Sequence, residues 1–187
     1  MGKIILASSS PRRRDIMKNA NIKFEIIPSP YIEDHTTTVF SYDFIEGLAS
    51  NKALAVVPLA DNNSVIIGAD TVVVVDDEIL GKPKDREDAI NTIRRLSGRT
   101  HIVVTGTAVV NTSTNVLKTA SSTSHVTFEN LTDEQICSYI DNFKPFDKAG
   151  SYGIQEMPEG YIKSYTGSLN NIIGLDIDLV KKLLSEV

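Results

Sequence analysis

Three hydroxyls run straight into three arginines at Ser8-Ser9-Ser10-Pro11-Arg12-Arg13-Arg14, where an apolar stretch gives way to a helix start. The free N–H groups and positive dipole end of a helix N-terminus attract anions, and guanidinium forks match phosphate oxygens. Cations in a first helical turn oppose the dipole and cost stability unless an anion binds nearby. On these residues alone, a capped surface helix with a solvated basic end stands beside the phosphate-cradle reading. GxxxxGK[ST] is absent, so the segment is not a P-loop.

Asp70, in Gly68-Ala69-Asp70-Thr71, interrupts an otherwise oily run. A buried carboxylate needs a cation, a metal or several donors, and a functional role is preferred over an aspartate that turns a bulge at Gly68. Lys52 lines up with Ile45, Leu48 and Val56 on an inward helical face, either snorkelling along apolar surface or reaching into a cleft. Lys82 is held between Gly81 and Pro83, which restrict the backbone around it, although an ordinary turn lysine has the same look. Glu33-Asp34 follows Pro28 and Pro30 in a polar loop of the kind that is usually just solvated. Asp147 to Gln155 combines two glycines with polar side chains, lets backbone approach a ligand, and offers the Gln155 amide to a base edge. Cys137 has no histidine or basic cluster near it and receives no role.

The elements that must position these residues follow from pattern and punctuation. Residues 4–7 read as a short buried strand, and Ser10-Pro11 starts a helix to about Asn19. Alternation of Ile22, Phe24 and Ile26 with polar neighbours predicts a strand over 22–26. Ser41 caps a helix reaching about Val57, and an apolar run from Val65 through Asp70 to Val75 turns at Asp76-Asp77 into Glu78-Ile79-Leu80. Asp85 caps a third helix that stops at Gly98, and strands follow at about 101–110 and 117–128. Thr132-Asp133-Glu134-Gln135 is a capping box that starts a helix over 133–142. After a loop from Lys144 to Tyr152, a hairpin turned at Thr166-Gly167 and a helix over 177–185 complete the chain. Strands and helices alternate without repeats, so the expected class is α/β, with a mixed twisted sheet flanked by helices in a single domain over 1–187.

Composition narrows the function. The chain has 187 residues, 41% hydrophobic content and a formal charge of −5, enough for one good core and too acidic for broad nucleic-acid binding. No stretch approaches the ~20 apolar residues of a membrane-spanning helix, and Met1 leads directly into a strand without a leader pattern, so a cytoplasmic enzyme is expected. His35, His101 and His125 are scattered, and Cys137 is the single cysteine, so a metal would rest on oxygen ligands.

Taken together, Leu6-Ala7-Ser8 with Ser10-Pro11-Arg12-Arg13, Gly68-Ala69-Asp70-Thr71, Gly81-Lys82-Pro83, Leu96-Ser97-Gly98 and Asp147 to Gln155 resemble the Maf family of nucleotide pyrophosphatases in order and spacing. The resemblance implies an elongated two-lobed fold with a central cleft, often dimeric, and a Mg²⁺- or Mn²⁺-dependent reaction that releases pyrophosphate from a nucleoside triphosphate. Arg12, Thr71 and Gln155 match the subgroup acting on dTTP and UTP, whereas the 7-methyl-GTP subgroup typically has a bulky aromatic in place of Arg12 and lacks the Gly-Ile-Gln run. By the same likeness Asp70, Glu33, Lys52 and Lys82 are catalytic, with Glu33 and Asp70 also holding metal, and Ser8, Arg12, Arg13, Thr71 and Gln155 bind substrate. Glu33 owes its place almost wholly to the resemblance. Glu156 to Gly160 replaces a glycine-rich stretch, Leu169-Asn170-Asn171 stands where Tyr-Ser-Asn is frequent, and Asp176 takes a usual proline position. The rival readings are a pyrophosphatase for 7-methyl-GTP or other noncanonical nucleotides, and a non-enzymatic nucleotide-binding regulator of septum formation.

Overall fold

The computed structural model describes residues 2–33 and 37–187. Its chain order is β1 (Lys3–Leu6), α1 (Pro11–Asn19), β2 (Glu25–Ile26), α2 (Tyr42–Leu54), β3 (Ser64–Val75), β4 (Glu78–Leu80), α3 (Arg86–Leu96), β5 (Thr100–Asn111), β6 (Leu117–Phe128), α4 (Asp133–Phe143), β7 (Ile162–Thr166), α5 (Leu169–Ile173) and α6 (Ile177–Leu184). The strands form one mixed seven-stranded sheet in the order β2-β1-β3-β5-β6-β7, with β4 also paired to β3. β1 runs parallel to β2 and β3, and the remaining pairs are antiparallel. The expected α/β class is therefore observed.

Three 12-residue strands, β3, β5 and β6, give the sheet its length, about 40 Å at about 3.3 Å per residue. The apolar cores divide along these strands. On one face, Val65, Ile67 and Ala69 pack with α1 and α6, and further along Val73 and Val75 pack with α3 and α4. On the other face, α2 covers both halves, with Ala49 and Ala53 over Ile66 and with Ile45 and Leu48 over Val72 and Val74. Asp70 and Thr71 fall at the changeover, on opposite faces, because successive strand residues alternate sides.

The caps at Ser10, Ser41, Asp85 and Thr132 form as predicted, including the reciprocal Thr132–Gln135 box. Asp76 and Asp77 turn the β3–β4 hairpin with φ of 54° and 60°, the positive pair that a tight turn with matching twist requires. Two expectations are corrected. The strand over 22–26 shrinks to Glu25–Ile26, because Ile22 and Phe24 pack into the α1–α6 core instead of alternating across a sheet. Thr166-Gly167 turns no hairpin: Ser168 caps α5, accepting a hydrogen bond from the Asn171 amide.

Candidate active site

β3 has a neighbour along only part of one edge. β1 pairs with residues 64–67 and β4 with 73–75 of the same edge. Among the described residues, no strand pairs residues 68–72 there, a gap of about 17 Å at about 3.3 Å per residue. Ser8 lies two residues beyond Leu6, the end of β1, at one lip of this opening, and Lys82 two residues beyond Leu80 at the other. Val39 pairs with Glu78, so the chain that leaves β2 beside the first lip arrives at the second on its way into α2.

Gly68 and Gly106, in adjacent strands, bring α2 down onto the sheet. A Cβ at Gly68 would stand 2.3 Å from the Ala49 carbonyl oxygen, and one at Gly106 2.5 Å from that of Ile45. The β3–β5 register runs unbroken through this stretch, so Gly68 serves close helix approach and no bulge forms there. Lys52, between Ala49 and Ala53, is thereby held over the open stretch. Its ammonium pairs with Asp70 Oδ1 and lies 2.7 Å from Glu33 Oε1. Asp70 is 8% exposed, and the cation satisfies the carboxylate that the sequence placed in an oily strand. Asp34 and His35 lie outside the described residues.

On the opposite face Arg13 is fixed at three points. Its Nε donates to the Gly174 carbonyl at 2.8 Å, Nη1 to Ser8 Oγ at 3.3 Å and Nη2 to Thr71 Oγ1 at 3.1 Å. A guanidinium has five N–H groups, so two remain to meet an anion. Loss of surrounding water lowers the Arg13 pKa from its ordinary value, Asp70 and Glu33 draw it back up, and the neighbouring Arg12 lowers it further. It stays charged, as arginine does in proteins.

The remaining candidates are less tightly held. Arg12 donates from Nη1 to Asp147 Oδ2 at 2.9 Å, which brings the arginine helix against the loop of residues 147–155. Partial loss of water is the largest single influence on the Asp147 carboxyl and raises its pKa, but the Lys148 ammonium and the Arg12 guanidinium together outweigh it and hold the group at about 2. Lys82 and Gln155 are exposed. Neither side chain has a hydrogen bond or ion pair among the described residues. The Gly81 carbonyl accepts a hydrogen bond from the Gly150 amide at 3.0 Å, which ties the Lys82 segment to the same loop.

The sequence did not single out the support behind Arg13. Thr71 Oγ1 shares a hydrogen bond with Thr105 Oγ1 at 2.9 Å, Thr105 donates to the Asn171 carbonyl at 3.1 Å, and the Asn171 amide donates to Val103 O and Ser124 Oγ. Threonine in a strand reads as an ordinary β-former, so only the burial of Thr105 and Asn171 reveals the relay. Lys148, nearly buried between Asp147 and Glu156, was likewise not marked as a site residue.

A long mixed sheet flanked by helices defines an α/β protein whose fold is similar to that of solved Ham1 proteins. The Ham1 protein of Staphylococcus aureus superposes with a TM-score of 0.53 over 98% of each chain at 15% sequence identity. By sequence, the chain belongs to the Maf-like protein family, whose model matches residues 3–187. Its relatives include proteins named dTTP/UTP pyrophosphatase from Clostridium beijerinckii, 38% identical over 99% of both chains, and from Bdellovibrio bacteriovorus, 38% identical over 98% of this chain and 97% of the relative. The family resemblance carried by the sequence motifs is borne out.

Proposed function

We propose that the chain hydrolyses dTTP and UTP to the monophosphate and pyrophosphate. The observation that carries this reading is the unpaired stretch of β3, where Arg13 with two spare donors and the Lys52–Asp70–Glu33 group approach one opening from opposite faces of the sheet. A polyanion laid along that edge meets cations and carboxylates together, as phosphoryl transfer requires. The names of the relatives support the same reaction and the same pair of substrates.

The residues fit a divalent cation. Glu33 and Asp70 already direct carboxylate oxygens at one point charge, the Lys52 ammonium. Among the described residues no group of three or more His, Cys, Asp or Glu side chains could hold a metal alone. This suits Mg²⁺ or Mn²⁺ held by one or two carboxylates, with water and substrate phosphates completing the shell. Such an ion would neutralise triphosphate charge. Asp70 accepts the proton of a water that attacks the α-phosphorus, the bond to the bridging oxygen breaks, and pyrophosphate leaves with that oxygen. Arg13, Lys52 and Lys82 stabilise the charge that builds on the leaving group. Ser8 and Thr71 hold the Arg13 fork, and Arg12 with Gln155 selects the pyrimidine.

No helix is long and apolar enough to cross a membrane among the described residues. Work on the cytoplasmic nucleotide pool follows from the proposed substrates. The test is pyrophosphate release by purified protein across dTTP, UTP, dCTP, GTP and 7-methyl-GTP, with Mg²⁺ or Mn²⁺ and with chelator. dTTP and UTP should give the highest kcat/KM, and chelation should remove the activity. Absence of release from every nucleotide would leave the regulator reading in its place, and a preference for 7-methyl-GTP would transfer the chain to the other subgroup.

A further inference from the structure

The loop that begins at Asp147 and ends at Glu156 is cross-linked by one cation. The Lys148 ammonium lies 2.9 Å from Asp147 Oδ1 and 3.1 Å from Glu156 Oε2, and its side chain is 10% exposed. Its stem lies against Gly153, where a Cβ would come within 2.9 Å of Cε and 3.1 Å of Cδ, so a larger residue there would have to push the lysine stem aside. A nearly buried ammonium needs its partners, because losing one leaves charge poorly compensated. Both partners here come from opposite ends of the same loop.

Each end of this staple touches a residue of the proposed specificity set. The second oxygen of Asp147 accepts from Arg12 Nη1 at 2.9 Å, and Glu156 follows Gln155 directly in the chain. The loop is anchored beneath as well, by the Gly153 amide donating to Tyr139 Oη at 3.1 Å and by a 2.7 Å hydrogen bond between Tyr152 Oη and His101 Nε2. Those anchors fix the middle of the loop. Lys148 fixes its two ends relative to each other.

We propose that Lys148 is a positioning residue that sets base selectivity, by holding Arg12 and Gln155 in one frame through Asp147 and Glu156. The inference rests on the pyrimidine triphosphate reading and adds to it a residue outside the proposed catalytic and binding set. Misplacing a recognition group by about 1 Å costs up to about a hundredfold, and such a loss falls on binding and discrimination when the reacting groups stay in place.

The test uses Lys148→Met, which keeps the stem and removes the charge, with Glu156→Gln as a milder variant that leaves the Asp147 pair intact. Hydrogen exchange of residues 147–156 and kcat and KM for dTTP and dCTP are measured on both. In Lys148→Met, exchange across the loop should quicken, KM for dTTP should rise roughly tenfold or more, and the dTTP-over-dCTP preference should fall with it, while kcat changes less. Glu156→Gln should shift the same quantities in the same direction by less. Unchanged loop exchange, or quicker exchange with the preference intact, would overturn the inference while the wild type remains active. A wild type inert toward every nucleotide would instead bring down the underlying reading and this inference with it. If Lys148→Met does not fold, a Glu156→Gln protein with wild-type preference and exchange is the overturning result.

Discussion

The Arg13 side of the opening and the Lys82–Gln155 side are built to different standards. Arg13 is held by a backbone carbonyl and two hydroxyls, and a buried relay through Thr71, Thr105 and Asn171 stands behind it. Lys82 and Gln155 are exposed side chains without hydrogen-bond or ion-pair partners among the described residues. Groups fixed before a ligand arrives stabilise developing charge without reorganising. Exposed side chains must be ordered on binding, at an entropic cost of about 0.5–1.5 kcal/mol for each. On the proposed reading, the rigid side meets triphosphate charge before the ligand orders anything, whereas Lys82 adds its charge and Gln155 its choice of base only once binding orders them.

The largest expected effect lies between the two sides, at Asp70 on the Lys52 face of β3. Asp70→Asn should lower kcat by about 10²–10³ for every nucleotide alike, with the circular dichroism of the fold retained, and a variant with near-normal turnover in the presence of metal would remove Asp70 from the reaction. On the adaptable side Gln155→Ala should act on selectivity, lowering kcat/KM for dTTP and UTP by about tenfold, the scale of one lost hydrogen bond, while affinity for inorganic pyrophosphate stays put. Equal losses across all nucleotides would contradict the division. The smallest effect is on stability beneath the adaptable loop. Burial lowers the His101 pKa from 6.5 to about 4. The unfolded chain then binds a proton that the folded chain refuses as pH falls from about 6.5 to about 4, so stability is lost on acidification across that window, by up to roughly 3 kcal/mol. His101→Phe should flatten the dependence of Tm on pH between those limits, and an unaltered slope would contradict the assignment.

How much was legible in the sequence depended on whether the signal was local. Asp70 and Lys52 were readable because each breaks an apolar pattern of fixed period, and the four helix caps because they are spelled in adjacent residues. α5 spans Leu169–Ile173, a single turn and a half, too short to show a helical period, and its Ser168 cap beside Gly167 has the composition of a tight turn. The Arg12–Asp147 pair joins residues 135 positions apart, and the Lys148 staple depends on how a loop folds back on itself. Neither leaves a trace in spacing. By pattern alone Glu33 was an ordinary acidic loop residue, and it owed its candidacy to the family resemblance; the fold sets it 2.7 Å from the ammonium of Lys52.

The lack of a strand neighbour along residues 68–72, among the described residues, also bears on colloidal behaviour. Bare main-chain edges invite strands from other molecules and so seed fibrils. Here β1 and β4 close the edge on either side of five residues, and Ala69, Asp70 and Val72 among those five are buried, so little main chain is left for an incoming strand. An edge paired on both flanks and buried between them thus offers little main chain to copies of the same protein.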